Sequence, residues 1–534
     1  MHHLKFLLVL LFISFHCLGQ NLIKDFDASF GGTGSEYNVG FIRCSQGGYA
    51  MLAASSSDSS FSKSQNNRDS TGLSLDYWLV RFDNQGNKLW DRTYGGDGAD
   101  VPSAICELPN GDFILAGTSS SGVGYEKTEV SRGGNDFWIL RVDVSGNIIW
   151  DKTIGGSAND YCKSVTINSY GQIFCGGYTL SSVSGDKTSL SIGTQVAFDY
   201  WLVALNQNGQ ILFDRTLGST QNDNCNTIVA SNNGGALLLG YSDSPAGFNK
   251  SQGSRGLNDF WVIAVDSIGR KIWDKTLGGA AEDYGYCALK TADAIYLGGD
   301  SYSLPGFDKT ALNKGVDDMW LVKLSLSGNI IWDRSFGSFN SDEMNAISGN
   351  SDGSILLSGE SYSAAGFDKS ESNLGVEQLW MIQIDTAGTK IMDKTFFTLG
   401  HDEEGMAIES APGNYLGCIS SIAGVGGYKS MVNDGFNDVW VCALKPAVGL
   451  DVNHKSNFKI YPNPISWGQL HVICENSENT IGFYDMKGVL LKEEKTLLNG
   501  DNVFDVSDFT DGLYLLKVQS FSDVIIQRMV ICKP

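Results

Sequence analysis

One phrase recurs along most of this chain. It reads "NDFWILRVDVSGNIIWDKTIGG" at 135–156, "NDFWVIAVDSIGRKIWDKTLGG" at 258–279 and "DDMWLVKLSLSGNIIWDRSFGS" at 317–338. Aligned on the first tryptophan of the phrase, seven positions fall into register: Trp78, Trp138, Trp201, Trp261, Trp320, Trp380 and Trp440. The steps between them are 60, 63, 60, 59, 60 and 60 residues. A second register holds Asp27, Asp91, Asp151, Asp214, Asp274, Asp333 and Asp393, each after an apolar residue that is usually aromatic. Eleven of the twelve tryptophans lie in these two registers. A fixed period of this length restricts the chain to repeat architectures, in which each unit buries its apolar face against the next.

Each unit is rich in strands. Runs such as "AIYLGG", "MWLVKLS" and "NIIWDRSF" combine β-branched and aromatic residues, and turns such as "LPNGD" and "SLSGN" separate them. Helical periodicity is absent. Four strands per sixty residues fits a propeller blade, with its first strand innermost and its fourth outermost. Tight turns join first to second and third to fourth, so the two longer connections share the opposite face. The ends are out of phase: "NLIKDFDASFGG" is a fourth strand alone, and "NDVWVCALK" is a third strand with no fourth after it. The expected fold is therefore all-β, a seven-bladed β-propeller over 20–445 closed by its N-terminal strand, which removes an exposed sheet edge. An open solenoid is the alternative. The stretch "TLGGAAEDYGYCALKTADAIYLGGDSYS" followed by "GVDDMWLVKLSLSGNIIWDRSFG" resembles the SBBP-type bacterial β-propeller repeat over residues 22–445. The resemblance implies the fold and says little of function.

The period stops after Leu444. A polar linker over 446–457 leads to about eighty residues whose alternation predicts six or seven short strands, a small Ig-like β-sandwich over 458–534. This tail carries "YPNP" (Tyr461, Pro462, Asn463, Pro464), "YDMKG" ending at Gly488, and "DGLYLLKV" with Gly512 and Tyr514. It resembles the C-terminal sorting domain of the type IX secretion system. That resemblance implies recognition by the outer-membrane secretion machinery, then release or attachment at the outer cell surface after passage through the periplasm. At the other end, residues 1–19 read as a secretory signal peptide: Lys5, an apolar run from Phe6 to Phe15, then Cys17-Leu18-Gly19. About ten apolar residues are too few to cross a hydrocarbon core that needs roughly twenty. No later run is long enough either, so no transmembrane segment is expected in the mature chain.

Charge excludes one class of partner. With 38 Lys and Arg against 60 Asp and Glu, the net charge of −22 repels phosphate backbones, so nucleic acid is not expected. The ten cysteines after residue 19 form no C-x-x-C pair and no His/Cys cluster, which argues against zinc of the finger type. Their recurrence in one type of strand reads as small apolar residues in a sheet. Histidine is scarcer still. His401 is the sole histidine between residues 20 and 445, so Ser-His-Asp, Cys-His and multi-histidine sites are excluded from the repeats by inventory.

Carboxylates remain. The connection into each blade ends in an acid: Glu36, Asp100, Asp160, Asp223, Asp283, Asp342 and Asp402. The second-to-third loop ends in Asp76, Asp136, Asp199, Asp259, Asp318 and Asp438, with Gln378 in the sixth unit. That loop also repeats "GFNKS", "GFDKT" and "GFDKS", which bring in Lys250, Lys309 and Lys369. Three readings stay open. The acids bond their own turns and pair with the lysines; they hold calcium, the one candidate ion, no other cofactor being expected; or two of them work as a glycosidase pair. Sites break the symmetry that a ring alone needs, and the breaks cluster at Gln378, Met392 and "FFTLGHDEEG" with His401. The expected function is an exported binding or adhesion protein whose loop face takes a glycan or a protein. The alternatives are a secreted carbohydrate-active enzyme using carboxylates, or a non-catalytic surface-layer component.

Overall fold

The computed structural model describes residues 22–69, 74–193, 196–231 and 233–447. In the tail it describes 458–461, 469–474, 480–485, 490–496, 500–519 and 524–531. The expected signal peptide, Pro462, Asn463, Pro464 and Gly488 lie outside the described residues. Among the described residues the regular structure is all strand, and no helix is long and apolar enough to cross a membrane. The chain divides into two compact units, 1–445 and 446–534.

The first unit is a set of repeated, propeller-like four-stranded antiparallel sheets, seven among the described residues. Sheet one runs Glu36–Arg43, Tyr49–Ser55, Asp76–Phe82 and Lys88–Tyr94, and the next five follow the same consecutive order. The seventh takes its outer strand from the start of the chain: Leu22–Phe30 lies beside Asp438–Pro446, followed by Asn414–Ser421 and Asp402–Ala411. All seven first strands break register after their second or third residue, as between Asn38 and Gly40 or Cys225 and Thr227. Such a bulge adds local twist. In the seventh sheet the break is wider, from Glu403 to Met406, and Glu404 there has φ +52°.

The core is a series of layers between neighbouring sheets. One layer packs Tyr77, Leu79 and Ala50 of sheet one with Trp138, Leu140 and Leu115 of sheet two. Another packs Trp78, Met51 and Phe41 of sheet one with Val439, Val441 and Cys418 of the seventh sheet and Phe30 of the leading strand. Each tryptophan of the first register is at most 2 % exposed. Rings meet across the joints: Trp138 on Tyr77 at 4.9 Å, Trp201 on Phe137 at 4.8 Å, Trp261 on Tyr200 at 4.9 Å and Trp320 on Phe260 at 4.8 Å. The backbone stitches each joint as well. The N–H of each first-strand acid donates to a carbonyl in the preceding sheet, as Asp223 to Phe198 at 2.7 Å, Asp402 to Glu377 at 3.2 Å and Glu36 to Asn437 at 2.8 Å. Eight cysteines of the first unit, from Cys44 to Cys442, are free and sit within these layers or beside them.

The tail unit is two antiparallel sheets around Leu470, Val472, Ile481, Phe483, Leu516 and Met529. Tyr514, edge-on to Phe509 at 5.0 Å, donates from its hydroxyl to the Thr510 carbonyl at 2.8 Å, next to Gly512.

One joint contact needs glycine. Gly328 turns between the third and fourth strands of sheet five with φ +82°, and a Cβ there meets the Trp273 ring of sheet four at 3.0 Å. Gly353 has φ +85° with nothing within 4 Å of a Cβ. Both Ala variants bear the left-handed strain, and only Gly328→Ala bears the clash. It should cost about 1 kcal/mol more than Gly353→Ala in urea unfolding. Equal costs would remove this packing from the joint.

Candidate functional site

The repeated polar residues converge inside each sheet. In sheet five, Asp283 accepts from the Gly279 N–H at 2.7 Å, from Ser303 Oγ at 2.9 Å and from Ser301. Asp342 accepts in the same way from the Ser338 N–H, Ser361 and Ser363, and Asp160 from the Gly156 N–H, Thr179 and Ser181. Asp223 takes the Ser219 N–H, Ser242 and Ser244, and Glu36 the Gly32 N–H, Ser55 and Ser57. Asp100 takes the Gly96 N–H and Ser121, and Asp402 takes Thr398 and Ser421. All seven side chains are buried. Each fastens the connection entering a sheet to that sheet's second strand.

The lysines are buried too, and there are seven of them. Lys309 Nζ lies 5.3 Å from the Trp320 ring centroid and donates to Ser335 Oγ at 2.6 Å. Lys250 lies 5.3 Å from Trp261 and donates to Ser242, and Lys369 lies 5.0 Å from Trp380 and donates to Thr395. Lys63, Lys127, Lys187 and Lys429 occupy the same place in the other sheets. Burial pulls Lys63, Lys250, Lys309 and Lys369 down to about 8 against the acids around them. Burial pushes Asp76, Asp199 and Asp259 up to about 7 although a backbone N–H bonds each of them. Gln378 replaces this acid in sheet six. Its Oε1 accepts from the Leu374 N–H at 2.9 Å and its Nε2 donates to the Thr398 carbonyl at 2.6 Å.

The turn above each lysine carries a different signal. Phe61, Tyr125, Phe248, Phe307 and Phe367 have φ between +46° and +54°, and their side chains are 65 to 72 % exposed. Sheets three and seven place Gly185 and Gly427 in the corresponding turn, with φ +57° and +61°. Ion pairs link the same face from sheet to sheet: Arg68 to Glu126 at 2.7 Å, Arg132 to Asp186 at 3.0 Å, Arg255 to Asp308 at 3.0 Å and Lys314 to Asp368 at 2.7 Å.

Two neighbouring joints break the symmetry. Between sheets five and six stand Asp300, Asp317 and Glu343; between six and seven stand Glu360, Glu377, His401, Glu403 and Glu404. The joint between sheets four and five has Tyr241, Asn258 and Tyr284 at the matching positions, Tyr241 and Tyr284 packing at 4.9 Å. Asn345 Nδ2 donates to Glu360 Oε1 at 2.9 Å, and the Glu404 N–H donates to the same oxygen. Burial, then the neighbouring Glu377 carboxylate, pushes Glu360 up to about 8. Burial, then Glu360, pushes Glu343 and Glu404 up to about 7. His401 and Gln378 are legible as breaks in the repeat, whereas the glutamates beside them emerge only when the sheets are brought together.

Residues 459–532 match the secretion system C-terminal sorting domain. The chain is therefore secreted or attached at the outer cell surface, and its tail addresses the type IX secretion machinery. Part of the chain is similar to the regulatory protein FlaEY of Caulobacter vibrioides, 25% identical over 180 residues that make up 32% of this chain and 18% of that protein. The chain thus matches less than a fifth of that relative's length. Among solved structures it is similar to the Pan2 WD40 domain of Neurospora crassa (7% identity, 79% of this chain and 95% of that one, TM-score 0.42). It is also similar to a Synechocystis apocarotenoid oxygenase (11% identity, 77% and 97%, TM-score 0.38).

The third-strand acids make a pH prediction. Asp259 ionises near 7 in the folded chain against an ordinary 3.8, so the folded state binds the extra proton between those values. It therefore withdraws stability as pH rises from about 4 to about 7. Asp259→Asn, which imitates the neutral Gln378, should flatten that loss: its urea midpoint should gain most on the parent at pH 8 and change least near pH 4. A larger deficit at pH 8 would mean that an ionised Asp259 is the stabilising form.

Proposed function

We propose that the seven sheets are the blades of a closed propeller sealed by the leading strand, and that this exported ring binds a glycan or a protein across its aromatic turns without catalysing a reaction. The Glu36–Asn437 backbone bond and the membership of Leu22–Phe30 in the last sheet support closure. The observation that carries the binding reading is the set of five large aromatic side chains on left-handed backbone. That conformation costs an L-residue roughly 1–2 kcal/mol, and glycine takes the turn in two sheets without the cost. Exposed as they are, the rings recover little of it by burial. Strain kept at exposed aromatic positions is accounted for by a ligand that stacks on them. Their spread over five sheets suits an extended ligand such as a polysaccharide or a protein surface.

A second reading, a secreted carbohydrate-active enzyme, has the unrepeated glutamates of sheets six and seven in its favour. Glycoside hydrolysis uses two carboxyl groups with separated pKa values, and Glu360 is pushed up to about 8 by burial. Polysaccharide hydrolysis by the parent and not by Glu360→Gln would replace the binding reading.

The binding reading is tested by Phe248→Gly, Phe307→Gly and Phe367→Gly combined. The melting temperature should hold or rise, because glycine relieves the turns, while retention on a glycan array or by protein pull-down falls at least tenfold. A fall in stability typical of a core aromatic, or undiminished binding, would contradict it.

A further inference from the structure

We infer that the joint between the sixth and seventh sheets is a site for a borderline first-row divalent cation, best matched by zinc, held by Glu377, His401 and Glu403. The candidate ligand atoms of these three residues all lie within 4.8 Å of one another. His401 Nε2 faces Glu377 Oε2, and its Nδ1 lies 3.1 Å from Glu403 Oε1. One imidazole with two carboxylates is a donor set for zinc, and its nitrogen turns the site away from calcium, which prefers oxygen alone. Bonds of about 2.0–2.2 Å at tetrahedral angles set donor atoms about 3.4 Å apart, so the Glu377–His401 contact opens and Glu403 moves round to the nitrogen that takes the metal. Glu403 and His401 are free to move, with side chains 44% and 29% exposed.

Glu377 supplies an independent indication. It is 1 % exposed, yet its Oε2 receives no hydrogen bond of regular geometry and points at the His401 ring. A buried carboxylate oxygen left in this state costs free energy that a bound cation would recover. Behind it, Tyr362 and Glu360 hydrogen-bond Glu377, the second layer that orients a metal-binding carboxylate. The joint sets four carboxylates, Glu360, Glu377, Glu403 and Glu404, against the single imidazole of His401. The neighbouring joint offers an internal comparison. Asp317, Ser341 and Glu343 stand there at the matching positions, two acids without the imidazole.

The test is calorimetric titration of the metal-stripped full chain with zinc chloride, with cobalt(II) absorption as a second readout. One equivalent should bind and give the visible bands of low-symmetry cobalt. Affinity should fall at least tenfold in His401→Ala and in Glu403→Gln, and stay unchanged in His471→Ala, which controls for the histidine of the tail. The exposed Glu403 side chain makes Glu403→Gln safe for folding, so a failure of His401→Ala to fold leaves the test standing. Absence of zinc binding, or binding that survives both Glu403→Gln and His401→Ala, would overturn the site. Neither result bears on the aromatic turns, whose variants leave this joint intact.

Discussion

A single side-chain pair recurs in every sheet, and the rest of the first unit is arranged about it. The indole Nε1 of each first-register tryptophan donates to the outer-strand aspartate: Trp78 to Asp91 at 3.0 Å, Trp261 to Asp274 at 3.1 Å, Trp380 to Asp393 at 3.0 Å, and so through the set. Burying an indole is favourable only if its N–H finds an acceptor. The same carboxylates accept from the loop just after the buried lysine, as from Ser251 and Thr310. Burial raises these acids, but the hydrogen bonds from the strand lysines Lys88, Lys271 and Lys390, from the loop and from tryptophan outweigh it and hold Asp91, Asp274 and Asp393 below 3.8. Stability from them is present above that value and is lost as pH falls through the depressed one. In the seventh sheet the pair is Trp440 and Asp27 at 3.2 Å, separated by 413 residues.

This clamp explains why so many polar groups are tolerated inside. Three acids surround one buried lysine in six of the sheets, Gln378 replacing the third in sheet six. Each lysine donates to a Ser or Thr hydroxyl, and six of the seven lie within 6.0 Å of the tryptophan ring. The arrangement repeats because its geometry is local to one motif. Function has room only where the motif is spent on something else: the exposed turns above the lysines, and the two joints where tyrosine and amide positions have become acids.

Strand content was legible within one sixty-residue unit, and the period and the out-of-phase ends from laying the units side by side. The lysine of "GFDKS" was legible as repeated, but nothing local says that it points inward or that the phenylalanine before it sits on left-handed backbone. The glycines of sheets three and seven at that turn were the available signal. The acidic joints were harder to find, since Glu360, Glu377 and Glu403 come from separate strands of two units. Comparing columns across units would have found them: Asp300 with Glu360, Asp317 with Glu377 and Glu343 with Glu403, against Tyr241, Asn258 and Tyr284 one unit earlier. His401 marked the place without its partners. In the tail, the motifs pointed to export and not to geometry, and Tyr514 proves to tie its own turn.

The account rests on the leading strand engaging the last sheet through the Asp27–Trp440 pair, and a double-mutant cycle with Asp27→Asn and Trp440→Phe measures that engagement directly. Urea unfolding should give a coupling energy of about 1 kcal/mol or more, comparable with the Asp274–Trp261 cycle inside one sheet. Additive effects at Asp27 and Trp440, beside a clear coupling at Asp274 and Trp261, would contradict it.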